Sequence, residues 1–158
     1  MKDNTILWVV IGGIALFALA GGAAVTLNQN EGSSNDPINA MALAIQSAEG
    51  YYPGSRSYRN NNPGNLKTTS APGQTGVDSG GFAIFDSYAD GFAALENQLS
   101  LAFNNQSSIY NSGMTISQFF ALYSGDQNEA NNVAAALGVP VTTTLDQLAA
   151  NASGGTQA

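Results

Sequence analysis

Cysteine and histidine are both missing from the 158 residues of this chain. Without cysteine there is no disulfide and no thiolate nucleophile. Without either residue, Cys/His zinc sites and the His-dependent nucleophilic triads are excluded. Acid–base chemistry, if the chain performs any, falls to carboxylates, with tyrosine and lysine as lesser candidates. Charge is scarce too: 9% of residues are charged, against roughly a quarter in an ordinary domain. The four basic residues end at Lys67, seven acidic ones follow, and the formal net charge is −7. Nucleic-acid binding depends on Lys and Arg neutralising phosphates, so no nucleic-acid partner is expected. No metal site and no cofactor is assigned.

What is present begins with a long apolar run. Residues 6–27 carry no charge, and Thr26 is their only conventionally polar member. A helix of that length spans about 33 Å, enough for a hydrocarbon core of about 30 Å. Trp8 suits an interface position, and Lys2 ahead of the run favours a cytoplasmic N-terminus. The reading is a single transmembrane anchor over residues 1–27. A cleaved signal peptide ending at Ala18-Leu19-Ala20 is the alternative, although the apolar run outlasts that site. Both place the remaining domain outside the cytoplasm, or on one face of a membrane.

Residues 28–36 form a polar linker, and residues 37–150 read as one mainly α domain. Asp36-Pro37 is a helix start, Asp as N-cap and Pro at the first helical position. Ile38, Met41, Ala42 and Ile45 make an apolar stripe at helical spacing. Four residues further along the stripe stands Glu49, with Gly50 offering a left-handed cap. Residues 60–76 read as irregular and residues 81–85 as a short extended segment. Ser87 and Asp90 open a long helix that buries Tyr88, Phe92, Leu95, Leu99 and Ala102. Thr115 and Gln118 open another with Ile116, Phe119, Phe120 and Tyr123 inward. Residues 128–137 read as an alanine-rich helix, Thr144 and Gln147 start a last short one, and residues 151–158 are expected to be a disordered tail.

Residues 47–67 concentrate the chemistry. An inward carboxyl at a helix C-terminus meets desolvation and the negative end of the helix dipole, and both favour the protonated acid. Glu49 is therefore the candidate catalytic acid. Tyr51, Tyr52 and Tyr58 offer ring faces, and Asn60, Asn61, Asn62 and Asn65 offer amides, the two means by which sugars are bound. Packing for the tyrosines and turn chemistry for the asparagines are the plainer roles. Arg56, Arg59 and Lys67 form either a solvated face or an attractor for an anionic polymer.

Ala48-Glu49-Gly50, then Arg59-Asn60-Asn61-Asn62-Pro63-Gly64-Asn65-Leu66, resembles the lytic-transglycosylase-like domains of phage virion proteins and prophage lysins. Residues 81–85, Thr115-Ile116-Ser117-Gln118 and Glu129-Ala130-Asn131-Asn132-Val133 add to the resemblance, which covers residues 38–148. It implies a lysozyme-like α-rich fold with long loops and peptidoglycan as the substrate. It implies Glu49 as the acid cleaving the bond between N-acetylmuramic acid and N-acetylglucosamine, with closure of an anhydro ring. Tyr51, Tyr52, Asn61, Asn62 and Asn65 become substrate-binding candidates. Tyr123 resembles the late aromatic hydroxyl that supports the acid. No acidic residue lies between Glu49 and Asp78, which favours a one-glutamate mechanism; hydrolysis with Asp78 or Asp86 as second carboxylate stays open.

With its anchor, such a domain fits a virion membrane protein that opens the cell wall during phage genome delivery, or a bacterial envelope protein. Its partners would be glycan strands, lipid and other virion or envelope membrane proteins. A non-catalytic peptidoglycan-binding or structural virion protein is the alternative, and a membrane scaffold a third possibility.

Overall fold

A computed structural model describes residues 9–11, 14–16, 36–67 and 69–154. The chain divides between Gly32 and Ser33 into two units. In the first, strands β1 (Val9–Ile11) and β2 (Ile14–Leu16) pair antiparallel, Val9 opposite Leu16. Val9, Val10, Ile11 and Ile14 are β-branched, and Gly12-Gly13 in the sequence between them is a pair that two-residue hairpins favour. This pairing differs from the continuous helix expected there. The rest of the expected anchor and residues 28–35 of the linker lie outside the described residues. Among the described residues no helix is long and apolar enough to cross a membrane.

The second unit is mainly helical, as expected. Its hub is α1 (Pro37–Ala48), which starts where Asp36 accepts the Ile38 N–H at 2.9 Å. Met41, Ala42 and Ile45 of the expected stripe are fully buried. The helix ends in a Schellman arrangement: Gly50 N–H donates to Ser47 O, and Tyr51 N–H to Gln46 O. Gly50 takes φ +67°, which costs a glycine little. One turn of helix, α2 (Arg56–Arg59), follows, capped by Ser55.

The segment read as irregular contains a strand. β3 (Gln74–Val77) pairs antiparallel with β4 (Ala83–Phe85), with an irregularity between Gln74 and Gly76. β3 has little strand signature of its own: Val77 is half exposed and Gly76 weakens the propensity. Its partner strand holds it in place.

Four further helices complete the unit: α3 (Tyr88–Phe103), α4 (Ile116–Tyr123), α5 (Gln127–Ala136) and α6 (Leu145–Gly154). The Thr115/Gln118 capping box forms with both of its hydrogen bonds. α1 lies against α3, α5 and α6, and α4 lies against α5. Leu95, Leu99, Phe119, Phe120, Val133 and Leu145 fill the space between them. On α3, Leu95, Leu99 and Ala102 are buried as expected, whereas Tyr88 stays partly exposed, its ring beside Tyr51 and Phe92. Residues 151–154, expected in a disordered tail, belong to α6, which stays helical through Gly154. Ala149, Ala150 and Ala152 favour helix, and the Ser153 hydroxyl donates to Ala149 O at 3.0 Å. Residues 155–158 lie outside the described residues.

Gly91 on α3 fixes the height of the asparagine loop. A Cβ built there would stand 1.8 Å from Asn61 O, a backbone atom. Either the loop or the helix must move to accept a methyl group. Gly91→Ala is expected to destabilise the domain by about 3 kcal/mol, and thermal unfolding checks it. An unchanged Tm would mean that the loop is free to shift.

Candidate functional site

Glu49 is the C-cap of α1, half-buried at one wall of a cleft of about 630 Å³. Asn65 reaches it from the far end of the asparagine loop, its Nδ2 donating to Glu49 Oε2 at 2.5 Å. Asn65 gets there because its backbone is left-handed, φ +46°, a conformation asparagine tolerates better than most residues. Tyr123, from the end of α4, lines the same cleft and donates its hydroxyl to Gly64 O at 2.5 Å. That bond ties the Pro63-Gly64 turn to α4, and with it the Asn65 side chain.

The third partner was not foreseen. Glu129, on the first turn of α5, is buried at 9% exposure and lines the same cleft as Glu49, where the two carboxyls affect each other's ionisation. Its Oε1 is buried with no hydrogen-bond partner among the described residues. An ionised carboxylate is costly in that position, so burial favours the protonated acid. Burial raises the pKa of Glu49 above the ordinary carboxylate value, although the Asn65 hydrogen bond pulls the other way. Burial raises Glu129 further, to about 7, against a lowering hydrogen bond from Ser124; the Glu49 charge adds to the rise. The two carboxyls interact, so they titrate as a pair. Burial, and then the Glu49 and Glu129 charges, hold the Tyr123 phenol well above its ordinary value, so it stays neutral.

Asp126 also lines the cleft, as the N-cap of α5, and its charge pushes both glutamates up. Arg56 and Lys67 line it as well, each 3.6 Å from the centroid of the Phe82 ring. Arg59 turns away, its guanidinium donating to Gly54 O.

Of the residues expected at the site, Glu49, Asn65 and Tyr123 meet in the cleft; four others do not line it. Tyr51 packs between Tyr58 and Tyr88, ring centroids 5.3 Å away on each side. Tyr52 is largely exposed. Asn61 donates to Phe85 O and Asp86 O and so fastens the loop to β4. Asn62 is fully buried: its Nδ2 donates to Leu66 O and Ala83 O, both at 2.9 Å, and its Oδ1 accepts Leu66 N–H at 2.8 Å. Asn62 shapes the loop from inside. The two acids considered as second carboxylates also lie outside the lining. Asp78 accepts from Asn60 Nδ2 and from the backbone N–H groups of Gly80 and Phe82, and Asp86 is exposed.

Glu129 did leave a trace in the sequence. Glu129 and Val133, like Ala130 and Ala134, stand four apart, so the buried face of α5 includes the glutamate. Its place three residues after the Asp126 cap reads as first-turn electrostatics instead. Among the described residues no three acidic side chains converge as a metal site would need.

No protein family, curated protein or solved structure matches the chain.

Proposed function

We propose that the chain is a peptidoglycan-cleaving glycosidase of the lytic-transglycosylase type, with a lysozyme-like α-rich domain and Glu49 as its acid. The observation that carries the proposal is the desolvated Glu49 carboxyl in a cleft, oriented by Asn65 and with the buried Glu129 lining the same cleft. Glu49 protonates the oxygen between N-acetylmuramic acid and N-acetylglucosamine, and that C–O bond breaks as oxocarbenium character develops. The carboxylate left behind takes the proton of the muramyl 6-hydroxyl, whose oxygen closes on the anomeric carbon. The acid is regenerated and no water is consumed.

The placing of the carboxyls favours this route. Two-carboxylate glycosidases hold their groups about 5–10 Å apart, so that nucleophile or water can act across the sugar. Asp78 and Asp86, the acids considered for that division of labour, do not line the cleft. Glu129, buried and raised toward its protonated form, is a positioning residue for the proton that Glu49 uses.

Purified sacculi test the proposal. Release of soluble muropeptides supports it. Sacculi that sediment intact with the chain bound to them would favour a non-catalytic wall-binding protein instead. The apolar residues 6–27 support a membrane-anchored form acting on adjoining wall, in a virion or a bacterial envelope. Carbonate-resistant membrane association with Met1 retained is the expected result, and a mature chain starting near Gly21 would contradict it.

A further inference from the structure

We propose that Arg56, Phe82 and Lys67 form a carboxylate-binding subsite on the cleft wall, which selects glycan strands bearing acidic substituents over neutral ones. The inference rests on the glycosidase reading for its substrate, and on separate observations for its chemistry. The protein has four basic residues against eleven acidic ones, yet two of the four line the cleft that holds Glu49. They come from different elements: Arg56 opens α2, and Lys67 lies beyond the asparagine loop, bridged to Phe82 by backbone pairing. Both converge on one ring, 3.6 Å from its centroid, where the π face holds a cation without neutralising it. Lys67 Nζ donates to Gly80 O at 3.1 Å, which fixes its direction and leaves its charge uncompensated. Arg56 is felt at Glu49 and Asp78 only through space.

The cleft is lined by charges of both signs. Glu49, Glu129 and Asp126 come from the end of α1 and the start of α5, and Arg56 and Lys67 come from α2 and the end of the asparagine loop. A protein of net charge −7 repels an anionic polymer over most of its surface, so a local cationic pair decides where that polymer docks. Peptidoglycan carries its carboxylates on the lactyl-peptide side of alternate sugars. A strand threading the cleft gains by turning that side to Arg56 and Lys67 and away from Glu49, Glu129 and Asp126. Arg56 suits a carboxylate for a further reason, since its planar fork can donate two parallel hydrogen bonds.

Binding by the full chain carrying Glu49→Gln, which is expected to leave strands intact, tests this directly. Three ligands separate the sources of carboxylate: strands with peptide stems, strands stripped by an amidase so that the lactyl carboxylates are bare, and N-acetylglucosamine oligomers with none. The first two are expected to bind roughly tenfold more tightly than the third, with the advantage shrinking as salt rises. Adding R56Q and K67Q should remove that advantage, and adding R56K and K67R should retain most of it. Preference for stemmed strands alone assigns the subsite to the stem carboxylates, and preference for stripped strands alone assigns it to the lactyl carboxylate; equal preference shows that it accepts a carboxylate from either source. Equal binding of all three ligands, or a preference that survives R56Q/K67Q in a protein folded by circular dichroism, would overturn the inference. Because binding is read without turnover, failure of the subsite is distinguishable from failure of the proposed activity, which the sacculus digest reads separately.

Discussion

Glu49→Gln is expected to digest purified peptidoglycan roughly a thousandfold more slowly than the parent chain. A positioned general acid contributes on the order of 10²–10⁴ in rate, and here the same group is asked to act twice, as acid and then as base. Glutamine keeps the shape of the side chain, so packing at the end of α1 survives. It removes the ionisable proton and leaves glycosidic oxygen without a donor of matched pKa. The effect should fall on kcat, with binding of strands little altered, because the role proposed for Glu49 is confined to the scissile bond. Thermal unfolding close to that of the parent would show that the loss is chemical. A variant as active as the parent would remove Glu49 from the mechanism.

Glu129→Gln should act through pH. In the parent, burial and then the Glu49 charge hold the Glu129 carboxyl up to about 7, while burial raises Glu49 against the Asn65 and Glu129 hydrogen bonds. Glutamine holds no titrating proton, so the last proton of the site leaves at lower pH. The basic limb of the pH–rate profile is expected to move down, costing rate near neutrality and little near pH 5. A role confined to packing would lower the whole profile without moving its limb. Stability gives a second readout, with its sign fixed by linkage. The folded state holds the Glu129 proton to about pH 7, while an unfolded glutamate releases it near 4.5. Between those values the folded state binds more protons, so stability falls as pH rises. The parent should lose on the order of 2 kcal/mol across that window, several degrees in Tm. Glu129→Gln should flatten this dependence.

The contrast between Glu49 and Glu129 shows what a sequence carries and what it conceals. Glu49 was legible because its signals are local: the Asp36-Pro37 start, the stripe from Ile38 to Ile45 and the Gly50 stop fix both the helix and its inward face. Glu129 has the same kind of stripe, but its significance depends on α5 packing against α1, a contact between distant parts of the chain. The asparagines make the point within one loop. Asn61, Asn62 and Asn65 are chemically identical and close in sequence, yet one fastens β4, one is sealed inside the loop, and one reaches Glu49. Their division of roles is set by the carbonyls that other elements bring to them. Tyr51 likewise finds Tyr88 across the fold and packs there. β3 was invisible because its order comes from pairing with β4, whereas the helices announced themselves through caps and stripes.

The functional claim can be read most directly from the products. Peptidoglycan digested by the parent chain should release muropeptides whose muramyl ends are anhydro rings, each lighter by one water than a hydrolytic end, as mass spectrometry resolves. Anhydro ends that are lost with Glu49→Gln are the result predicted by one acid unit working without water. Reducing ends from the parent chain would contradict it, because water would then have to reach the sugar and be activated by a second, separate group.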